Sequence, residues 1–225
     1  MNTAGEFELV SPTELGAQST FFESSSASEI IEWVFEAGGD RVLATSSFSD
    51  VVLVHLICTQ FQFPKVVFID TGFSFPETLS FIKRVQSIYK FDLDIVSANL
   101  ASSDSLCGSE NCCLKRKVEP LQDYLSGYEY WITGIRRHET ADRSNVEIVG
   151  FDEKYQVIKV NPLANWTDEQ TFNFIEENNL PIHPLVAQGY LSIGCAPTTS
   201  PVLDPSDPRS GRWPGSEKTE CGLHI

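Results

Sequence analysis

The chain has 225 residues, of which 41% are hydrophobic, so it can bury the core of one domain and is not expected to be disordered. Its formal net charge of −15 excludes nucleic acid and anionic membranes as its main binding partners. Its six cysteines come with no opening signal peptide and no apolar run of the roughly 18 residues that span a membrane, which predicts a soluble protein of a reducing compartment that is not secreted.

The two ends of the chain differ in composition from its middle. Residues 1–28 are polar and rich in Ser, Thr and Glu, and we expect them to form a loosely ordered N-terminal arm, in which a short helix is an open alternative. Ser28 is predicted to cap a helix over residues 29–35 that stops at Gly38 and Gly39. One domain is therefore predicted over residues 29–225, with a Pro-, Gly- and Ser-rich segment from about residue 200 that we expect to be mobile.

Between these ends, short apolar strands alternate with helices. Strands are predicted over residues 42–45, 65–70, 93–96, 130–134 and 157–162. Helices are predicted over residues 51–59 and 79–89, from about residue 114, and after Thr167, whose helix carries Phe172, Phe174 and Ile175 on its apolar face. This order predicts an α/β fold in which a mostly parallel, twisted sheet has helices on both faces, because parallel strands need right-handed crossover connections.

Ligands bind beyond the carboxyl ends of the strands in such sheets, and two predicted loops lie there. The first loop is a hydroxyl-rich turn between a strand and a helix, and it starts with Thr45, Ser46 and Ser47. Its hydroxyl and N–H groups can hold a phosphate, and ordinary capping of the helix explains the same residues equally well. The second loop starts with Asp70, Thr71 and Gly72, where an aspartate at a strand end is typical of contact with a ribose hydroxyl or an amine.

The last residues of the chain have the pattern of a reactive thiol. Cys221 has Lys218 three residues before it and His224 three residues after it. The thiolate is the nucleophilic form of cysteine, and positive charge on these two neighbours would stabilise it. The alternative interpretation of this heptapeptide is a frayed tail with a stray cysteine.

An anion site is predicted just upstream of this thiol. Arg209 and Arg212 are three residues apart, and Trp213 follows them directly. Guanidinium groups bind the oxygens of phosphate or sulfate in pairs, and the indole ring offers a stacking surface beside them.

These motifs, in this order, resemble those of the sulfonucleotide reductases, which reduce adenosine 5′-phosphosulfate (APS) or its 3′-phosphorylated form (PAPS) in sulfate assimilation. The resemblance runs from about Arg41 to His224, and the terminal Glu-Cys-Gly-Leu-His is its most specific part. The other segments that carry it are residues 45–50, 70–78, 112–118, 133–137, 161–167, 189–195 and 209–213.

The resemblance implies a fold like that of the adenine nucleotide α-hydrolases and a covalent mechanism. Cys221 attacks the sulfate sulfur, a cysteine S-sulfonate forms while AMP (or PAP) leaves, and a separate thioredoxin- or glutaredoxin-type thiol releases sulfite. Catalytic roles are thereby implied for Cys221 and His224. Substrate binding is implied for both loops, for the anion site, and for Lys117, Gly134, Arg136 and Arg143. The compartments that fit are the cytoplasm and the plastid stroma, and assembly into a homo-oligomer stays open.

The other cysteines depart from the pattern of this family. Members that reduce APS hold a [4Fe–4S] cluster on a Cys-Cys pair and a later Cys-x-x-Cys, whereas members that reduce PAPS generally lack these four cysteines. Cys112, Cys113 and Cys195 are present, but the fourth position is Thr198, whose hydroxyl is a poor ligand for a soft metal site. Cys107 is close to the pair, at a spacing that does not match the family. We therefore favour an enzyme without a cofactor, in which the three cysteines are remnants. The alternative is a [4Fe–4S] cluster that Cys112, Cys113 and Cys195 hold with one labile iron.

Three other functions were weighed against APS reduction. Reduction of PAPS uses the same chemistry, and the cysteine remnants favour APS over it. A non-catalytic nucleotide-binding protein with redox-sensing thiols is a second alternative, against which the intact thiol and its cations argue. An ATP pyrophosphatase of the same fold is disfavoured, because its pyrophosphate loop is rich in glycine and residues 45–50 contain none.

Overall fold

The computed structural model describes residues 11–98, 107–109, 111–204 and 206–224. A sheet forms its centre, with its strands in the order β3-β2-β1-β4-β6-β5. The strands are β1 (Val42–Thr45), β2 (Lys65–Asp70), β3 (Asp92–Ser97), β4 (Tyr130–Ile132), β5 (Val149–Asp152) and β6 (Val157–Val160). All neighbouring strands are parallel except the edge strand β5, which is antiparallel to β6. The mostly parallel sheet predicted from the sequence is therefore confirmed.

Helices cover both faces of this sheet. They are α1 (Pro12–Phe22), α2 (Ala27–Gly38), α3 (Val52–Gln60), α4 (Pro76–Ile88), α5 (Glu119–Leu125), which a π-helical turn (Leu114–Val118) precedes, and α6 (Asp168–Glu177). Val42 and Ala44 of β1 pack into a cluster with α2, α3 and α4, whereas Leu43 between them packs with Leu121 and Leu125 of α5 on the other face. Within the described part of the chain, no helix combines the length and hydropathy that a bilayer-spanning segment requires.

The start of the chain differs from the loosely ordered arm that its composition predicts. Ser11 and Glu14 form a capping box at the first turn of α1. Leu15 and Phe22, seven residues apart on one side of this helix, are each only 3% exposed. The hydroxyl of Ser19 between them accepts hydrogen bonds from two backbone N–H groups at the start of β5. The buried side chains of Leu15, Ser19 and Phe22 thus hold α1 against the domain, although the segment is mostly polar. The domain boundary at residue 28 stays a prediction.

Two helix details also differ from the sequence prediction. Ser26, and not Ser28, caps α2, because the hydroxyl of Ser26 and the carboxylate of Glu29 bond reciprocally to each other's backbone N–H. Thr167 caps α6 as predicted. Phe172 of this helix is not part of the core, since it is 56% exposed at the edge of a cleft.

The order of the strands places a crevice between β1 and β4. From β1 the chain adds β2 and β3 on one side, and it then returns to add β4 and β6 on the other side. The loops that follow β1 and β4 therefore leave the sheet in opposite directions. In an open α/β sheet this point, at the carboxyl ends of the two strands, is where ligands bind.

Candidate active site

A cleft of about 720 Å³ opens at the carboxyl ends of β1 and β4. Its walls come from the loops after β1 and β4, from α6, and from the C-terminal segment that ends at residue 224. Both predicted catalytic residues, Cys221 and His224, line this cleft. The predicted substrate-binding residues that line it are Thr45, Ser46, Ser47, Thr71, Lys117, Gly134, Arg136, Arg143, Arg209, Arg212 and Trp213.

Asp70 and Gly72 are predicted substrate-binding residues that do not line the cleft. The carboxylate of Asp70 accepts hydrogen bonds from the backbone N–H of Gly72 at 3.0 Å and from the hydroxyl of Ser74 at 2.9 Å. Gly72 has a φ of 77°, a conformation that favours glycine. Both residues therefore shape the turn after β2, and Asp70 does not offer its carboxylate to the cleft.

The hydroxyl oxygens at the end of β1 and in the loop after it face the cleft, and each already accepts a hydrogen bond. Thr45 Oγ1 accepts a hydrogen bond from the indole N–H of Trp131 at 2.8 Å. Ser46 Oγ and Ser47 Oγ accept bonds from backbone N–H groups within the loop, at 3.0 and 3.4 Å. A hydroxyl that accepts a bond still has its own proton to donate. The loop therefore suits a ligand that brings acceptor oxygens.

The cations that act on Cys221 are not its neighbours in sequence. Cys221 is half-buried on the cleft wall, and its thiolate interacts electrostatically with Lys117 and Arg212. Burial lowers the pKa of the Lys117 ammonium, but the charge of nearby thiolates, Cys221 first among them, outweighs burial and raises it. Lys218, which the sequence predicts to stabilise Cys221, instead donates a hydrogen bond to Cys113 Sγ at 3.4 Å.

Arg143 forms an ion pair with Glu220, the residue that precedes Cys221. Its Nε donates to Glu220 Oε1 at 2.6 Å and its Nη2 donates to Glu220 Oε2 at 2.9 Å. Its Nη1 bonds to Glu139. The sequence predicts that Arg143 binds substrate, and the structure shows its guanidinium paired with two carboxylates instead. The Glu220 side chain is only 3% exposed.

Arg209 also contacts the C-terminal segment. Its Nη2 donates to the carbonyl oxygen of Thr219 at 2.9 Å and to Glu220 Oε1 at 3.4 Å. These contacts hold the guanidinium at the wall of the cleft, beside Arg212.

His224 is packed into the wall as a neutral group. Burial, followed by the charges of Lys159 and Arg143, lowers the pKa of its imidazole well below the ordinary histidine value of 6.5. The sequence predicts that His224 supplies positive charge to the thiolate. That prediction is wrong for neutral pH, because the imidazole is then uncharged.

Trp213 belongs to the cleft wall without offering a free stacking face. Its ring is 7% exposed, with the Arg212 guanidinium 4.4 Å and the Lys218 ammonium 5.5 Å from the ring centroid. The indole thus holds two cations in place, which differs from the open stacking surface beside the anion site that the sequence predicts. Gly194 completes the arrangement, because a side chain there would overlap the Arg212 guanidinium.

The wall next to α6 has paired charges. Arg136 donates to Thr171 Oγ1 at 2.7 Å and lies 3.3 Å from both Glu139 and Asp168. His138 Nε2 lies 3.1 Å from the same Asp168 carboxylate. This side of the cleft therefore holds the Arg136 guanidinium between two carboxylates.

Within the part of the chain that the structure describes, three buried nitrogen atoms of the cleft-lining residues have no hydrogen-bond partner. They are Arg136 Nε, Arg212 Nε and His224 Nδ1. A buried polar atom normally has a partner, because leaving it unpaired costs on the order of 1–3 kcal/mol. Their convergence on one cleft indicates a ligand rich in oxygen acceptors.

A second, much smaller cavity of about 10 Å³ adjoins the cleft behind Lys117 and Arg212. Four cysteines line it, namely Cys107, Cys112, Cys113 and Cys195, together with Thr198. Cys107 Sγ lies 3.9 Å from Thr198 Oγ1, and Cys195 Sγ lies 3.3 Å from Thr71 Oγ1. The fold thus brings together Cys112, Cys113 and Cys195, the three cysteines that we interpret from the sequence as remnants of a cluster site.

The donors around this cavity do not fit a [4Fe–4S] cluster held by the family's pattern. Thr198 presents a hydroxyl at the fourth position, and the Lys218 ammonium already bonds to Cys113. The four-cysteine ligand set of the family's pattern is therefore incomplete at this cavity.

Sequence reasoning missed three carboxylates of this site: Glu139, Asp168 and Glu220. Each is paired with an arginine or histidine, and Glu220 is 77 residues away from its partner Arg143 in the sequence. Of the three, only Glu220 could have been found from the sequence. It is a charged residue next to the expected nucleophile, and such a charge needs an ion-pair partner if the fold buries it.

Comparison with known proteins matches this chain to a family and to a fold. The model of the phosphoadenosine phosphosulfate reductase domain matches residues 41–201. The adenosine 5′-phosphosulfate reductase of Rhodococcus erythropolis is 41% identical over 239 residues, which cover 97% of this chain and 95% of that protein. The enzyme of the same name from Streptomyces coelicolor is 40% identical over 213 residues, which cover 90% and 89%.

Solved structures agree with the predicted fold. A phosphoadenylyl-sulfate reductase from Candida auris, in a phosphate complex, superposes with a TM-score of 0.74 and 26% identity over 85% of this chain and 98% of its own. An FMN adenylyltransferase from Candida glabrata, in complex with FAD and inorganic pyrophosphate, superposes with a TM-score of 0.65 over 97% and 82%. Because it is only 16% identical, it shows the fold alone. The α/β fold of the adenine nucleotide α-hydrolase type is therefore confirmed.

Proposed function

The chain belongs to the phosphoadenosine phosphosulfate reductase family, and from that premise we propose that it reduces adenosine 5′-phosphosulfate to sulfite and AMP. One observation carries the proposal: Cys221 lies on the wall of a cleft where Lys117 and Arg212 act on its thiolate. A nucleophilic sulfur among cations is what attack on an anionic sulfate ester requires.

The cations have two roles in this proposal. Lys117 and Arg212 bind the phosphosulfate group and offset its repulsion of the approaching thiolate. They then stabilise the negative charge that develops on the leaving phosphate. The unpartnered Arg212 Nε and His224 Nδ1 are the buried nitrogens at hand for the oxygens of this group.

The first half of the reaction is a displacement at sulfur. The Cys221 thiolate attacks the sulfate sulfur and forms a sulfur–sulfur bond. The bond from that sulfur to the bridging oxygen breaks, and its electron pair leaves with AMP. The product is a Cys221 S-sulfonate, and no metal is needed for the step.

The second half is an exchange with a dithiol. A thiolate of the dithiol attacks Cys221 Sγ, and sulfite leaves with the electron pair of the sulfur–sulfur bond. The second thiol of the dithiol then resolves the mixed disulfide, so that Cys221 returns as a thiolate and the dithiol is oxidised to a disulfide. We propose a separate thioredoxin- or glutaredoxin-type protein as this donor. The cycle needs a reducing compartment, and the bacterial relatives favour the cytoplasm.

We favour APS over PAPS on two grounds. The relatives at about 40% identity over most of the chain are named APS reductases. In addition, Arg136 and His138 on the α6 side of the cleft are already paired with Glu139 and Asp168. A 3′-phosphate placed there would be repelled by these two carboxylates. The Candida auris structure, a reductase of PAPS at 26% identity, makes PAPS the second candidate.

Sulfite release in the presence of thioredoxin, measured with APS and with PAPS, tests both the activity and the preference. We expect sulfite from APS, and a Cys221 S-sulfonate by mass spectrometry when the dithiol is left out. Cys221→Ser is expected to abolish turnover while AMP binding persists. An unmodified Cys221 in folded protein that binds the nucleotide would falsify the mechanism.

A further inference from the structure

We infer that Glu220 is a positioning residue, whose buried carboxylate fixes Cys221 for attack and completes the cationic wall of the cleft. The inference rests on the proposed function, because it concerns the nucleophile of that reaction. It goes further by assigning a role to a residue that does not touch the reacting atoms.

The burial of Glu220 is the first ground for this inference. Its side chain is 3% exposed, although it lies near the end of the chain and next to the half-buried Cys221. A carboxylate is buried only where partners replace its hydration. Arg143 supplies two hydrogen bonds to it, and Thr140 Oγ1 supplies a third at 3.0 Å.

These partners belong to the body of the domain. Arg143 lies on the second of two short helical turns that follow β4, Thr140 lies between those turns, and Arg143 is itself anchored by Glu139. A residue directly before the nucleophile is therefore tied to the loop of a central strand. Since adjacent α-carbons are 3.8 Å apart, the position of Glu220 restricts where Cys221 can lie.

Besides the bond from Thr219 Oγ1 to Asp142 and the stacking of His224 on Trp131, the segment has two bonds that are weaker in kind. Lys154 Nζ donates to the carbonyl oxygen of Gly222 at 2.9 Å, and Tyr155 Oη donates to that of Leu223 at 3.0 Å. These are single bonds to backbone oxygens, and the first is exposed to solvent. Exposed bonds of this kind compete with water, whereas a buried ion pair does not.

The same carboxylate also holds Arg209. The Nη2 of Arg209 bonds to Glu220 Oε1 and to the carbonyl oxygen of Thr219, so its place at the cleft depends on the docked segment. Docking through Glu220 thus brings the nucleophile and a cation of the anion site into position together. If the segment undocks, both are lost from the cleft at once.

The two halves of the reaction make opposite demands on this contact. Attack on the substrate needs Cys221 held in the cleft, whereas the S-sulfonate must be reached by a bulky dithiol protein. Glu220 therefore contributes to the first half and not to the second. A residue that served only the stability of the domain would not separate the two rates in this way.

The test compares Glu220→Gln with Glu217→Gln, an exposed glutamate of the same segment. Without a dithiol, we expect S-sulfonate to form on Cys221 about 10- to 100-fold more slowly in Glu220→Gln, since a misplaced nucleophile costs about that much, and at the wild-type rate in Glu217→Gln. Once formed, the S-sulfonate should release sulfite to thioredoxin at least as fast as in wild type. AMP should bind more weakly to Glu220→Gln.

Two further variants keep the inference testable if Glu220→Gln folds poorly, as judged by its melting temperature. Arg143→Lys keeps the charge and loses the double hydrogen bond, and Thr140→Val loses the third bond. Both should slow sulfonation and spare release. Sulfonation of correctly folded Glu220→Gln at the wild-type rate would overturn the inference. If wild type itself forms no S-sulfonate, the proposed function fails instead.

Discussion

The imidazole of His224 stacks on the indole of Trp131, with ring centroids 5.4 Å apart and ring planes 18° from parallel. The indole N–H bonds to Thr45 at the end of β1, so the last described residue of the chain rests on the central strands of the sheet. The carbonyl oxygen of His224 accepts a hydrogen bond from Lys159 Nζ at 3.3 Å. This packing makes the docked segment sensitive to protonation of the imidazole.

We predict that acid weakens docking of the segment. Burial lowers the pKa of docked His224 well below 6.5, whereas an undocked imidazole titrates near that value. Above about pH 7.5 the imidazole is neutral in both the docked and the undocked state, and docking has its full strength. Below about pH 6.5 the imidazole of the undocked state binds a proton, whereas that of the docked state stays neutral, so docking is weakened. Hydrogen exchange of peptides over residues 218–224, corrected for its intrinsic pH dependence, should therefore be faster at about pH 5.5 than at about pH 7.5.

The control for this prediction is His224→Gln, which cannot titrate. It should remove the pH dependence in this window. Burial acts to raise the pKa of Glu220, but the hydrogen bonds and charge of Arg143 together with the charge of Arg209 lower it overall, so that carboxylate stays charged until the pH falls below its ordinary 4.5. A pH dependence that persists in His224→Gln would refute the role of the imidazole.

Gly194→Ala is predicted to impair substrate binding with little effect on stability. A Cβ at this position would lie 2.3 Å from Arg212 Nη2. Because the overlap is with the end of a flexible side chain, the guanidinium can move away, and the fold is retained. Loss of one charged hydrogen-bonding group costs roughly 1.5–3 kcal/mol, so we expect KM for APS to rise about 10- to 100-fold.

Gly127→Ala is the matched control for this change. No atom lies within 4 Å of a Cβ built there, and its φ is not in the left-handed region. It should leave KM unchanged. Equal KM values for the two variants would mean that Arg212 does not bind the substrate.

The sequence predicted the sheet better than it predicted the site, and the reason is physical. The strand of residues 65–70 consists largely of β-branched and aromatic residues, and its bounds were correct. The edge strand β5 was missed, because Val-Gly-Phe-Asp has low intrinsic preference for a strand and forms one through its pairing with β6. Tertiary pairing of this kind leaves no local pattern.

The same limit explains the errors at the site. A thiol between charged residues is a local pattern, and the Cys221 that it singles out lines the cleft. The partners of Arg143 and Lys218 lie 77 and 105 residues away in the sequence, and no spacing rule connects them. Both cations were therefore assigned to the substrate or to the thiolate, although the fold pairs them with Glu220 and Cys113.

We predict that Thr198→Cys completes a four-thiol iron site around the small cavity. The substitution would add a fourth thiol at the family's position, beside Cys112, Cys113 and Cys195 around the small cavity. Protein purified without oxygen should then contain about four irons per chain and absorb broadly in the visible range. Wild type and Thr198→Ser should contain little iron and sulfide. If wild type binds as much iron, Cys107, next to Thr198, becomes the candidate fourth ligand, and Cys107→Ser should lose the iron.

Alkylation by iodoacetamide is predicted to modify Cys221 before the other thiols. Burial raises the pKa of Cys58 to about 12, and burial followed by the charge of Cys195 raises that of Cys107 to about 12, so both remain thiols at neutral pH. Burial also raises the pKa of Cys113, despite the nearby Lys218. Cys221 is half-buried on the open cleft, where Lys117 and Arg212 act on its thiolate.

Peptide mapping at short reaction times identifies the first thiol that is labelled. AMP should protect Cys221 if the nucleotide fills the cleft, and Lys117→Met should slow its labelling because it removes one of the two cations. Early labelling of Cys113 at the rate of Cys221 would show that burial does not keep that thiol protonated. The nucleophile could then not be assigned from the arrangement of cations alone, and the S-sulfonate would have to be located on one of the two sulfurs directly.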